Sequence, residues 1–320
     1  MTGHRVPHVP AGYELLTPLG AGRTGYVYRA RHARFGDVAL KLPRAEIAGK
    51  PDLRRMFENE VQLTLGLRHG NVVTGFEGSP TGPHAFLALE FCPNGTIADL
   101  LSAAGGSLAL DSARNLVYGV ALGLEHVHQR QVLHRDIKPA NVFIGRDGTA
   151  KLGDFGTGIH VGQESDGRVG TPFYMAPEIF EGKPSSVQSD IYSLGVLAYE
   201  VFSGQRPFLG SSYDDLMMAH LSGLPKALGH QRSDISRHEV RVITSAMARN
   251  PEARFRTVAE FRTAFAAAAG IDERERRGEQ VTGRASRRPA GRGGAADVGE
   301  EERAGNGGGL LGWFRRRRGD

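Results

Sequence analysis

Cysteine is nearly absent. Cys92 is the only one in 320 residues, which excludes an internal disulfide framework and fits a reducing compartment. Long apolar runs are missing too. No segment reaches the roughly 18 uninterrupted apolar residues of a membrane span. The longest candidate, Ile191–Phe202, is about a dozen residues long and contains Glu200, which suits a buried core helix. The opening stretch MTGHRVPHVPAGYELL lacks the apolar run of a secretory leader. Together these absences predict a soluble, cytoplasmic protein.

Nor is there a broad excess of one charge. The formal net charge is +5, but from Asp272 onward there are twelve arginines, no lysines and nine acids, which supply +3 and leave +2 for the rest. So weakly basic a body is no nucleic-acid footprint, and nucleic acid is not an expected partner. The stretch after Ile271 is also nearly empty of large apolar side chains. It cannot bury enough surface to offset its ordering entropy, and it reads as a disordered Arg/Gly-rich tail. Only LLGWFRRRR, Leu310 to Arg318, regains bulk. Four apolar groups beside four arginines make a weak contact for an anionic surface. The chain thus divides into an extension over 1–12, a folded domain over 13–270 and a tail over 271–320.

What is present changes character once along the domain. From Tyr13 to Pro43 the stretches YVYRARH and DVALKLP read as strands, and NVVTGFEG and HAFLALEFC add two more. Between them Leu53, Met56, Phe57, Val61 and Leu65 fall at helical spacing. After the turn signal PNG the pattern is helical almost to Ala269, with Asp111 expected to cap the helix DSARNLVYGVALGLEHVHQ. Further helices are expected near Val187–Ser203, Tyr213–Leu221, Ser236–Ala248 and Val258–Ala269. A strand-rich start before a helix-rich remainder is an α+β arrangement of two lobes, not an alternating β/α sheet.

The chemistry sits in a few stretches. VLHRDIKPANVFI packs His134, Arg135, Asp136, Lys138 and Asn141 between apolar flanks. Burying neutral polar groups without partners costs roughly 2–7 kcal/mol each, so these satisfy one another or face a ligand. LGAGRTGYVYRA places Gly20, Gly22 and Gly25 as G-x-G-x-x-G. Dinucleotide folds share that spacing, but there the glycines open a helix. Here they open a β-rich segment, which favours a strand–loop–strand flap over phosphates. Lys41 lies inside the apolar strand VALK and needs an anion, either Glu60 on the next helix or a triphosphate under the flap. Asp154 in KLGDFGTG, with Asp136 and Asn141, supplies the hard oxygens that suit Mg²⁺.

Flap, strand lysine, helix glutamate, HRD and DFG in this order resemble the eukaryotic-like (bacterial-type) serine/threonine protein kinases, over about Tyr13 to Ala269. The resemblance implies the bilobal kinase fold, with a β-rich N-lobe over about 13–92 and an α-helical C-lobe over about 93–270. It implies ATP and Mg²⁺, and protein Ser/Thr hydroxyls as acceptors. Leu19, Gly20, Ala21, Gly22, Arg23, Thr24, Gly25, Tyr26 and Val27 would cover the nucleotide, with Ala39 beside them. Lys41, positioned by Glu60, would hold the α- and β-phosphates. Leu89 would be the gatekeeper, and Glu90 to Cys92 would offer backbone groups to adenine. Asp136 would be the base, Lys138 would steady the transferred group, and Asn141 and Asp154 would bind Mg²⁺. Glu178 would pair with Arg254, and Asp190 would brace the catalytic loop. Lys138 and GTPFYMAPE resemble the serine/threonine branch. Gly70 stands where the family usually has proline. Between Thr157 and GTPFYMAPE the activation segment offers Ser165, and Thr171 follows as a substrate-site residue first. A phosphate on Ser165 would reach Arg135, or Glu164 and Asp166 already supply that charge; both readings stay open. So does a pseudokinase, whose hallmark would be loss of Lys41, Asp136 or Asp154. Thr282 and Ser286, among arginines, are candidate autophosphorylation sites.

Overall fold

Five strands, β1 Tyr13–Ala21, β2 Gly25–His32, β3 Gly36–Pro43, β4 Gly75–Ser79 and β5 Phe86–Glu90, form one antiparallel sheet ordered β1-β2-β3-β5-β4. The computed structural model describes residues 9–44, 49–163 and 169–272. Ser165 with Glu164 and Asp166, and the tail with Thr282, Ser286 and Trp313, lie outside the described residues. β1 is an edge strand, and Pro18 falls beside one of its bulges, where a missing N–H costs little. β2 and β3 pair in unbroken register. Strict alternation therefore sends Val38, Leu40 and Leu42 into the small core with Ala30 and Ala88, and Ala39 and Lys41 to the opposite face. Helix α1, Pro51–Gly66, lays Phe57 and Val61 against Ala85 and Leu87.

The helical lobe is built from α2 Ile97–Ala103, α3 Leu110–Gln129, α4 Pro177–Phe180, α5 Val187–Ser203, α6 Tyr213–Ser222, α7 Leu228–Gln231, α8 Arg237–Ala246 and α9 Val258–Ala269. α5 is its centre, with every residue from Ser189 to Tyr199 buried. Its apolar run is thus a core helix, and among the described residues no helix is long and apolar enough to cross a membrane. α3 runs so close to the turn before β4 that a Cβ on Gly123 would lie 2.3 Å from the carbonyl oxygen of Asn71. Only glycine fits that crossing of the two lobes.

Two expectations are corrected. Asp111 does not cap α3; Ala109 does, without a side-chain bond, because Leu110 packs on the core and draws the cap two residues upstream. Asp111 lies in the first turn, near the positive end of the dipole, and pairs with Arg114 at 3.1 Å. The second lobe also holds four short strands, β6 Val132–Leu133, β7 Val142–Ile144, β8 Ala150–Leu152 and β9 Ile159–His160, paired β6 with β9 and β7 with β8. These frame the polar stretch between His134 and Asn141 and the segment carrying Asp154.

Candidate active site

The flap is the β1–β2 hairpin. The Gly22 amide donates to the Gly25 carbonyl at 2.8 Å. A Cβ on Gly25 would meet the Leu42 carbonyl oxygen at 2.5 Å, so glycine is required there. Beneath the flap, Lys41 Nζ lies 2.5 Å from both carboxylate oxygens of Glu60, and both side chains are buried. Burial pushes the Glu60 carboxyl above its ordinary range; the Lys41 ammonium opposes this and the charge of Asp154 adds to it. Thr24, at the flap tip, is buried as well, and its hydroxyl donates to Glu60 Oε2 at 3.4 Å. The flap predicted to cover phosphates by its backbone is therefore also tied by a side chain to the ion pair.

The polar stretch that follows β6 is held by Asp190 of α5. Its carboxylate accepts the amides of His134 at 2.8 Å and Arg135 at 2.9 Å, and lies 2.9 Å from His128 Nε2. Burial alone would raise this carboxyl, but the bonds from His128 and the His134 amide hold it below the usual range. The clamp lets Arg135 sit at φ +68°, in the left-handed region. His134 is fully buried, 4.9 Å from the Phe155 ring, with its Nε2 3.1 Å from the Gly153 carbonyl oxygen. The Arg135 guanidinium donates to Ser185 Oγ and to the Thr157 carbonyl.

Four side chains then meet. Lys138 Nζ is 2.8 Å from Asp136 Oδ2 and donates to Thr171 Oγ1 at 2.6 Å. Thr171 donates in turn to Asp136 Oδ1 at 2.7 Å. Asn141 donates from Nδ2 to the Asp136 backbone and to its Oδ2, which turns Oδ1 the other way. The Asn141 Oδ1 is buried without a hydrogen-bond partner. Asp154 begins the next turn in the left-handed conformation, at φ 63°. A buried amide oxygen lacking a donor, plus one carboxylate, fits a hard cation that keeps water and phosphate as its other ligands. Among the described residues no group of three or more His, Cys, Asp or Glu gathers as a metal cage.

At the lobe junction, Leu89 and Glu90 end β5. The Glu90 amide already donates to the Thr74 carbonyl at 2.8 Å, so this N–H is not open to a base, and the hinge reading narrows to the remaining groups. Burial, with the charge of Glu90 adding, pushes the Cys92 thiol up to about 12, which disfavours a thiolate there.

The segment after Thr171 is anchored twice. Arg254 clasps Glu178 with two bonds of 2.7 Å. Tyr174 donates to Glu200 Oε2, and the Arg206 guanidinium lies 3.9 Å over the Phe173 ring. Sequence reasoning missed Thr24 on Glu60, His128 on Asp190 and Arg206 on Phe173. His128 carried a signal, since its helix ends just before HRD.

A small β lobe on a helical lobe, with this cluster between them, is the arrangement of a protein kinase. Residues 13–265 match the protein kinase domain family. The chain is 33% identical over 267 residues to the serine/threonine-protein kinase PknB of Mycolicibacterium smegmatis, across 80% of this chain and 42% of that protein. It is 32% identical over 266 residues to PknB of Mycobacterium tuberculosis, covering 80% and 42%. To Pkn1 of Myxococcus xanthus it is 33% identical over 263 residues, covering 79% and 38%. The chain belongs to the protein kinase family. It aligns with less than half the length of each of these relatives.

Proposed function

We propose that the chain is a serine/threonine protein kinase that transfers the γ-phosphoryl group of ATP to protein hydroxyls. The observation that carries this reading is a hydroxyl, that of Thr171, held at 2.7 Å from the Asp136 carboxylate and 2.6 Å from the Lys138 ammonium. A substrate hydroxyl in the same place would bond to Asp136, which orients it and takes its proton. Lys138 would neutralise charge on the group in transit. Lys41, fixed by Glu60, would hold the α- and β-phosphates under the flap. Asn141 and Asp154 are the residues that would hold Mg²⁺, which when bound offsets phosphate charge. Phosphoryl transfer needs positioning and charge stabilisation more than covalent chemistry, and each group here supplies one of these. The hallmark of the pseudokinase alternative would be loss of Lys41, Asp136 or Asp154, and all three are present.

The test is incubation with Mg·ATP and generic acidic and basic proteins, followed by phosphoamino-acid analysis. Phosphoserine or phosphothreonine from the native chain, and none from Asp136→Asn, is the expected result. ATP binding without transfer supports the pseudokinase. A cytoplasmic location and a weak contact of Leu310–Arg318 with anionic surfaces belong to the same reading. Trp313, the single tryptophan, reports the contact by a blue emission shift with anionic vesicles that high salt reverses. No shift removes the contact.

A further inference from the structure

Thr171, whose hydroxyl touches both Asp136 and Lys138, leads directly into a 3-10 turn over Pro172–Tyr174. A peptide that delivers its hydroxyl to Asp136 advances only about 3.3 Å per residue when extended. Positions two or three away from the acceptor therefore pass over this turn and its neighbours. The side chain beside the turn is Arg206, from the loop after α5. Its guanidinium carbon is 3.9 Å from the centre of the Phe173 ring, a close cation–π stack. The carboxylate facing it is Glu200, with Nε to Oε1 at 3.7 Å, longer than a hydrogen bond. Glu200 is largely buried, and its other oxygen is taken by the Tyr174 phenol. Arg206 is 38% exposed where Glu200 is 14%. The two form an ion pair whose acid lies inside and whose cation lies outside.

We infer that Arg206 is a specificity-determining residue that makes this flank of the peptide seat positive, so that acceptors flanked by acidic residues are taken and those flanked by basic residues are refused. The inference rests on the kinase reading above and names the substrate class of the same site. A cation brought against Arg206 meets like charge, whereas a carboxylate meets a guanidinium already fixed in place by Phe173 and Glu200, with little rotamer entropy left to lose. It follows that Thr282 and Ser286, set among arginines, are poor acceptors for this site.

The experiment uses the full chain and a set of peptides with one threonine, carrying Glu, Gln or Arg at each of three positions on either side of it. For the native protein, kcat/KM for Glu over Arg should differ by about tenfold or more at one or more positions, mostly through KM. The gap should shrink as salt rises. Arg206→Gln should narrow it, and Arg206→Glu should invert it; the Gln-flanked peptide gives each enzyme its own reference rate. A native enzyme without charge ranking, or the same ranking in Arg206→Glu, overturns the inference and leaves the kinase reading standing. Efficient autophosphorylation at Thr282 or Ser286 also overturns it. No transfer to any peptide sinks the kinase reading itself.

Discussion

Thr171 donates its hydroxyl to Asp136 Oδ1 at 2.7 Å, so the chain presses one of its own hydroxyls against the carboxylate that a substrate hydroxyl would need. The Thr171 hydroxyl oxygen in turn accepts from Lys138, which ties the peptide-binding segment to the catalytic turn. Thr171→Val should keep the fold and lower kcat by about tenfold or more, while Thr171→Ser keeps most of the rate, because the hydroxyl and not the methyl makes the bond. Asp136→Asn should cost on the order of 10²-fold or more. Initial rates with a fixed protein substrate check both. Equal rates for Thr171→Val and the native chain would dismiss the coupling.

The Lys41–Glu60 pair separates activity from stability. Lys41→Met leaves Glu60 buried and unpaired near Asp154, which should cost about 3–5 kcal/mol of stability as well as the phosphate contact. The double change Lys41→Met with Glu60→Leu removes both charges. It should recover most of the lost stability and none of the rate. Urea unfolding beside a transfer assay distinguishes the two; a double variant no more stable than the single one would refute the account.

Much of this site was legible because its residues violate their surroundings. A lysine inside VALK, and an acid, a base and an amide inside VLHRDIKPANVFI, cannot be buried unpaired, and they do meet in space. The helices over Val187–Ser203 and Val258–Ala269 were legible from periodicity and lie at those bounds. Strands β6 to β9 were not, since two or three residues carry no period. The start of α3 was misread because burial of Leu110 outweighs the capping preference of Asp111. Arg206 on Phe173 joins two loops through tertiary packing alone, and nothing local marks it.

The Glu178–Arg254 clasp tests what a guanidinium does that an ammonium does not. Besides its two bonds to Glu178, Arg254 donates to the carbonyls of Ala248, Gln188 and Arg249, so all five of its N–H groups are used. It also lies 4.8 Å over the Tyr192 ring. Arg254→Lys keeps the charge but cannot reach all of these acceptors. It should lose about 2 kcal/mol or more by urea titration, and Arg254→Met about 3–5 because Glu178 is left buried and unpaired. A lysine variant as stable as the native chain would show that charge alone matters here.

His220 makes stability depend on acid. It is fully buried on α6, and its Nδ1 is 2.7 Å from the Tyr192 phenol. Phe180, Tyr192 and Phe208 pack around the ring. Burial lowers its pKa to about 4, with the Phe173 backbone opposing weakly. Unfolded, the same imidazole takes a proton near pH 6.5. Between those values the unfolded chain binds a proton that the native one refuses, so stability is complete above pH 6.5 and falls as the pH drops toward 4. The slope is about 1.4 kcal/mol per pH unit for this group, or roughly 3 kcal/mol across the window. His69 and His126, also lowered by burial, act in the same direction, so the native chain alone does not isolate the effect. His220→Phe does. The variant should be less stable at pH 7.5, having left the Tyr192 phenol unpaired, and the difference from the native chain should shrink by about 2 kcal/mol by pH 5. A difference that stays constant between pH 7.5 and pH 5 would mean that His220 titrates normally in the folded protein.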